Sequence, residues 1–156
     1  MGESVDSRTR VLCLGNDLIA DDGVGPAIAA ELRSRTVDAE VAESSLDGLA
    51  LLDDLVDVDR LVVVDAISTG RSAPGSIIVV SEREIAAAAG GWQHALGLFD
   101  AIALARALGL DAPGEVVLVA VEVSDLVCVG GPLTEAVRRA VPEAASIVEN
   151  LVKGRG

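Results

Sequence analysis

A repeated pattern constrains this chain most: short, continuously apolar runs separated by stretches with helical spacing. The runs at 10–14 (R-V-L-C-L), 61–64 (L-V-V-V) and 116–121 (V-V-L-V-A-V) lack the polar alternation of a half-solvated strand. Both faces of each strand must therefore be covered, as in a parallel sheet between helical layers. Weaker segments at 37–42 and 76–80 predict two further strands. Helices are predicted over 22–35, with Val24, Ile28 and Leu32 on one face, over 47–56, and over about 94–108 with Gly109 at the end. A short helix is predicted over 82–89. A last one starts near Pro132 or Leu133 and runs towards Val152, with Pro142 interrupting it or marking a second start. Strands alternating with helices give an α/β fold in three α/β/α layers around a mainly parallel five-stranded sheet.

One connection breaks the parallel rule. Only ten residues separate Asp65 from Ser76, and they include Gly70, Pro74 and Gly75. A parallel crossover needs about a dozen residues or more and usually a helix. The fourth strand should therefore run antiparallel to the third, at or near an edge, which makes the sheet mixed. At 156 residues the chain is expected to form one domain over 10–153, preceded by a flexible segment at 1–9.

Composition narrows the function classes. The net charge of −13 opposes binding to phosphate backbones, so no nucleic-acid partner is expected. Acidity of this kind also simply keeps a protein soluble. Trp92 and Phe99 are the only aromatic residues, so the core must be built from Leu, Val, Ile and Ala. Cys13 and Cys128 form neither a C-x-x-C pair nor a zinc spacing, and both read as buried small apolar residues. The polar first ten residues carry no signal-like core, and no apolar run is long enough to span a bilayer. A cytoplasmic monomer without membrane association is the expectation.

In open α/β sheets, ligands bind beyond the carboxyl ends of the strands. Strand one is followed by G-N-D-L-I-A-D-D-G-V-G, residues 15–25, and strand three by Asp65. A carboxylate placed after four apolar strand residues is desolvated, which is costly unless it is paired, bound to metal or capping a turn. Of the pair Asp21 and Asp22, one should cap the helix that follows and the other should point elsewhere. Gly23 and Gly25 allow close backbone approach there. Neither G-x-G-x-x-G nor G-x-x-x-x-G-K-[ST] occurs, so nucleotide binding is unsupported. His94, the sole histidine, lies where a helix begins. One histidine and two carboxylates suit nickel, zinc or iron, although a histidine in that position is also a common capping residue. No G-x-S-x-G elbow is present for a serine nucleophile.

These segments resemble a known family. V-L-C-L-G-N-D-L-I-A-D-D-G-V-G, residues 11–25, is similar to the opening motif of the hydrogenase maturation proteases, roughly G-N-x-L-x-x-D-[DE]-G-x-G. V-V-V-D-A at 62–66 resembles their second motif and H-A-L-G-L at 94–98 their third. V-E-V-S-D-L through G-G-P-L-T-E-A-V resembles their closing strand, loop and helix. The resemblance covers about residues 10–150. It implies an endopeptidase that removes a C-terminal extension from the large-subunit precursor of a nickel–iron hydrogenase after nickel insertion. It also implies metal contact and catalysis through Asp22, Asp65 and His94, with the nickel supplied by the precursor. Asn16 and Asp17 are secondary candidates for hydrogen bonds in the same pocket. Three segments depart from the family pattern. Asp22 stands where glutamate is frequent, Glu43-Ser44-Ser45 where Asp-Gly-Gly is frequent, and Trp92-Gln93 precede the histidine. Two other readings stay open from the residues: a nickel-dependent accessory factor that binds the precursor without cutting it, and a different metal-dependent hydrolase on a related sheet.

Overall fold

The computed structural model describes residues 7–16, 18–46, 48–86, 93–124, 126 and 128–154. Its five strands are β1 (Thr9–Leu14), β2 (Glu40–Ser44), β3 (Arg60–Ile67), β4 (Ile77–Ser81) and β5 (Glu115–Glu122). They form one sheet in the order β2-β1-β3-β5-β4. The β1–β2, β1–β3 and β3–β5 pairs are parallel, and β4 pairs antiparallel with β5. The short connection after β3 therefore does reverse the chain direction, and β4 is an edge strand. Its neighbour, however, is β5, which inserts between β3 and β4.

The helices are α1 (Val24–Ser34), α2 (Leu52–Leu55), α3 (Glu82–Ala86), α4 (Gln93–Ala107) and α5 (Glu135–Lys153). The sheet pleat sorts its side chains into two cores. On one face Val11, Cys13, Val62, Val64, Val119 and Val121 pack with residues of α1 and α5 such as Ile28, Leu32, Val137 and Val148. On the other face Leu12, Leu14, Leu61, Val63, Ile67 and Leu118 pack with Leu51, Leu55, Leu98, Ala101 and Ile102. Aliphatic side chains thus fill both interfaces of a three-layer α/β/α fold.

Several element limits differ from expectation. The helix expected over 22–35 opens as a 3-10 turn, Ala20–Gly23, before α1 begins. The segment 47–56 resolves into a 3-10 turn, Gly48–Leu51, and the single turn α2, with Asp57 at a φ of 62° beyond it. Asp47 lies outside the described residues, as do positions 87–89 of the short helix expected over 82–89. β2 starts at Glu40 rather than 37, because its register is set by pairing with β1, where Arg10 faces Glu40. The last helix is unbroken at Pro142. The missing N–H removes one helical hydrogen bond. Buried Val137, Ala140, Ala144, Ala145 and Val148 hold the helix to the sheet on both sides of it. The Pro142 carbonyl accepts from Arg35 Nη2 at 3.2 Å and Ser146 Oγ at 3.0 Å. Residues 1–6 lie outside the description, and β1 already begins at Thr9.

The strand order reverses direction between β1 and β3. β2 lies on one side of β1, whereas β3 and β5 continue on the other. Such a switch point opens a crevice beyond the carboxyl ends of the two strands.

Candidate active site at the β1–β3 edge

β1 ends at Leu14, and its last pair with β3 is Cys13 with Val64. β3 runs on to Ile67 because β5 continues to pair with it, Asp65 facing Ala120 and Ile67 facing Glu122. Asp65 therefore does not end the strand, as the sequence suggested. It lies inside the strand, just where β1 stops covering one side. Asp65 is 1 % exposed, and its Oδ1 accepts the N–H of Ala66 at 2.9 Å. The alternation of β3 puts it on the same face as Leu61, Val63 and Ile67, the face packed by α4.

The loop after β1 brings the second acid to this edge. Gly15 has a φ of 144°, and an added Cβ there would lie 2.1 Å from the carbonyl oxygen of Asp22. An added Cβ at Gly25 would lie 2.0 Å from the carbonyl oxygen of Leu14. The two glycines let the loop fold back so that the 3-10 turn presses on the end of β1. Asp22 is 9 % exposed, and its Oδ2 accepts the N–H of Asn16 at 2.8 Å. The Asn16 side chain is used locally, its Oδ1 accepting the N–H of Leu18 at 3.0 Å. Asp17 lies outside the described residues.

Neither Asp21 nor Asp22 caps its own helix, contrary to expectation. Ile19 and Gly23 occupy the capping positions, without side-chain bonds. Asp21 is fully buried and accepts from the backbone and hydroxyl groups of Ser124 and Thr134, more than a hundred residues away. No local pattern announces this contact; only the fold brings the two loops together.

The backbone of His94 lies in the first turn of α4, and its side chain falls outside the described residues, as does Trp92. Leu98 and Ala101, four and seven positions further on, are buried on the Asp65 face of the sheet. Among the described residues, no group of three His, Cys, Asp or Glu side chains is assembled to hold a metal ion.

A cavity of about 400 Å³ opens between the loops that follow β1 and β2, lined by Gly15, Asn16, Leu18, Pro26, Glu43, Ser44 and Ser45. Glu43 there is held by Arg33. Exposed apolar side chains rim this edge: Leu18 and Leu46 on the two loops bordering the cavity, and Val129 on the loop bridged to Ile19. A larger cavity of about 460 Å³ lies at the amino ends of the strands, around Arg8, Asp38 and Asp57. It lies at the end of the sheet where this architecture does not place its ligands. Its Arg8 pairs with Asp59 and Asp111.

The cysteines divide. Cys13 is buried, and burial pushes its thiol up to about 12. Cys128, expected to be buried, is exposed, because the loop that carries it lies at the surface of the carboxyl edge.

A family model described as HycI, hydrogenase maturation protease, matches residues 26–151. This chain belongs to the hydrogenase maturation protease family. A hydrogenase expression/formation protein, HupD, of Bradyrhizobium diazoefficiens is 35 % identical over 86 % of this chain and 72 % of that protein. The hydrogenase 2 maturation protease of Escherichia coli is 31 % identical over 73 % of this chain and 72 % of that protein. Among solved structures, the hydrogenase maturating endopeptidase HybD from E. coli superposes with a TM-score of 0.83 at 29 % identity, covering 96 % of this chain and 94 % of that one. The HybD protease from Thermococcus kodakarensis gives 0.76 at 26 % identity, over 93 % and 99 %. As a member of this family the chain is a peptidase of hydrogenase maturation. Among its described residues no helix is long and apolar enough to cross a membrane.

Proposed function

We propose that this maturation protease removes the C-terminal extension of a hydrogenase large-subunit precursor that already carries nickel, using Asp22, Asp65 and His94. The observation that supports this reading is the pair of buried carboxylates, Asp22 and Asp65, at the β1–β3 switch point. Two acids are brought out of water on adjoining elements, and the loop that holds Asp22 borders an open cavity. Carboxylate oxygens and an imidazole nitrogen suit a nickel ion with open positions. The nickel travels with the substrate. Held by these three side chains, it would place the scissile peptide at this edge and would supply the charge that polarises a carbonyl. One of the two carboxylates takes the proton of the attacking water. His94 is included because H-A-L-G-L at 94–98 matches the family's third motif and its backbone lies in the first turn of α4.

The test is the mass of the precursor after incubation. Wild-type protein should shorten the nickel-loaded large subunit by one C-terminal segment, and His94→Ala with an intact fold should leave it uncut. Wild-type processing by His94→Ala would remove that residue from the site. Complex formation without any mass change would favour an accessory factor.

A further inference from the structure

We propose that Asp21 is a positioning residue for the cleavage reaction, resting on the proposed role of its neighbour Asp22. Asp21 has no exposed surface. Its Oδ2 accepts from Ser124 N at 3.0 Å and Ser124 Oγ at 3.1 Å, and its Oδ1 from Thr134 N at 2.8 Å and Thr134 Oγ1 at 2.9 Å. These two residues are the ends of the loop that joins β5 to α5. The middle of that loop is tied to the same segment: Ile19 bridges Val129, Ala20 N donates to Cys128 O at 2.9 Å, and Gly130 N donates to Leu18 O at 2.7 Å. The motif loop and the β5–α5 loop are thus closed on each other, with the Asp21 carboxylate as the polar centre of the closure.

The contact differs from a helix cap. Thr134 occupies the capping position of α5, yet makes no side-chain cap bond; its hydroxyl is turned to Asp21 instead. A hydroxyl that in a cap would accept from the first-turn N–H groups donates to the carboxylate instead. Charge-assisted bonds from backbone N–H groups are short and directional, so they set the position of the turn as well as its stability.

Asp21 and Asp22 are adjacent in one 3-10 turn, so a shift of one backbone carries the other with it. They are held by different loops. Asp21 grips the β5–α5 loop, and Asp22 receives the Asn16 N–H from the β1 loop. Both hold the same turn, and Asp22 keeps its place at the β1–β3 edge while Asp21 ties the turn to the β5–α5 loop.

Asp21→Asn removes one acceptor oxygen and sets an amide N–H₂ against a backbone donor. The experiment follows cleavage of nickel-loaded precursor by wild type, Asp21→Asn, and Glu122→Gln as a comparison. Glu122 is also a buried carboxylate at this sheet edge, but its donors are the N–H and hydroxyl of Thr69 and the N–H of Gly70, away from the 3-10 turn. For the folded fraction of Asp21→Asn, kcat should fall at least about tenfold with KM within about threefold, the signature of a misplaced reacting group. Glu122→Gln should lower Tm and leave kcat near wild type. If Asp21→Asn does not fold, the double variant Ser124→Ala with Thr134→Val keeps both backbone donors and removes both hydroxyls. Its kcat should fall about threefold or more at unchanged KM. An unchanged kcat in the folded fraction, or equal kcat losses in the Asp21 and Glu122 variants at equal loss of Tm, overturns the proposal. A precursor left whole by the wild-type protein overturns the cleavage reading and this proposal together, so the two failures are distinguishable.

Discussion

The backbone N–H of Asn16 donates to Asp22 Oδ2 across 2.8 Å, so the acid that follows β1 is held by the very loop that it follows. This bond needs an acceptor oxygen and not a charge. Asp22→Asn keeps that oxygen. Its stability should stay within about 1 kcal/mol of wild type. Precursor cleavage should fall by about a hundredfold or more, because a carboxylate that takes up a proton has become a neutral amide. Chemical denaturation and precursor mass together check this. Near-wild-type cleavage would remove Asp22 from the chemistry.

Gly25 sets how closely α1 approaches β1. A Cβ there would stand 2.0 Å from the Leu14 carbonyl oxygen, which belongs to a buried central strand. Neither backbone can yield without moving the turn that carries Asp22. Gly25→Ala should destabilise the protein by about 3 kcal/mol, as overpacking in a core does. The urea midpoint measures it, and a loss below about 1 kcal/mol would show that the helix can shift freely.

Cys13 and Cys128 should respond very differently to thiol reagents. The native protein should show one fast thiol, Cys128, and a second only on unfolding. Burial raises Cys13 from 9.0 to about 12, so between these values the unfolded chain has lost a proton that the folded chain keeps. Stability from this group is full below pH 9 and declines as pH rises towards 12, with a slope of up to about 1.4 kcal/mol per pH unit. The chain has no tyrosine and a single lysine, Lys153, so few other groups share that window. Cys13→Ala should flatten the alkaline limb of the denaturation profile. A limb of unchanged slope would assign the loss to other groups.

The fold was legible where apolar patterning is continuous. β1, β3 and β5 are buried on both faces and announced themselves as unbroken Val and Leu runs. β2, none of whose residues is fully buried, has no such pattern, and its limits follow from pairing with β1. Pro142 misled for a related reason. Local propensity disfavours it inside a helix, but packing on both sides of it outweighs one lost hydrogen bond.

The sequence by itself determined the three-layer architecture, the antiparallel fourth strand and the polar segments placed after β1 and β3. Those follow from strand and helix periods and from connection length, which are local. Only the tertiary structure decided that β5 lies between β3 and β4, that Asp65 sits within its strand, and that Asp21 grips Ser124 and Thr134. Each depends on which strand pairs with which, and so on contacts between residues far apart in the chain. That is also why Asp21 and Asp22, identical neighbours in the sequence, do different work: each meets a different loop.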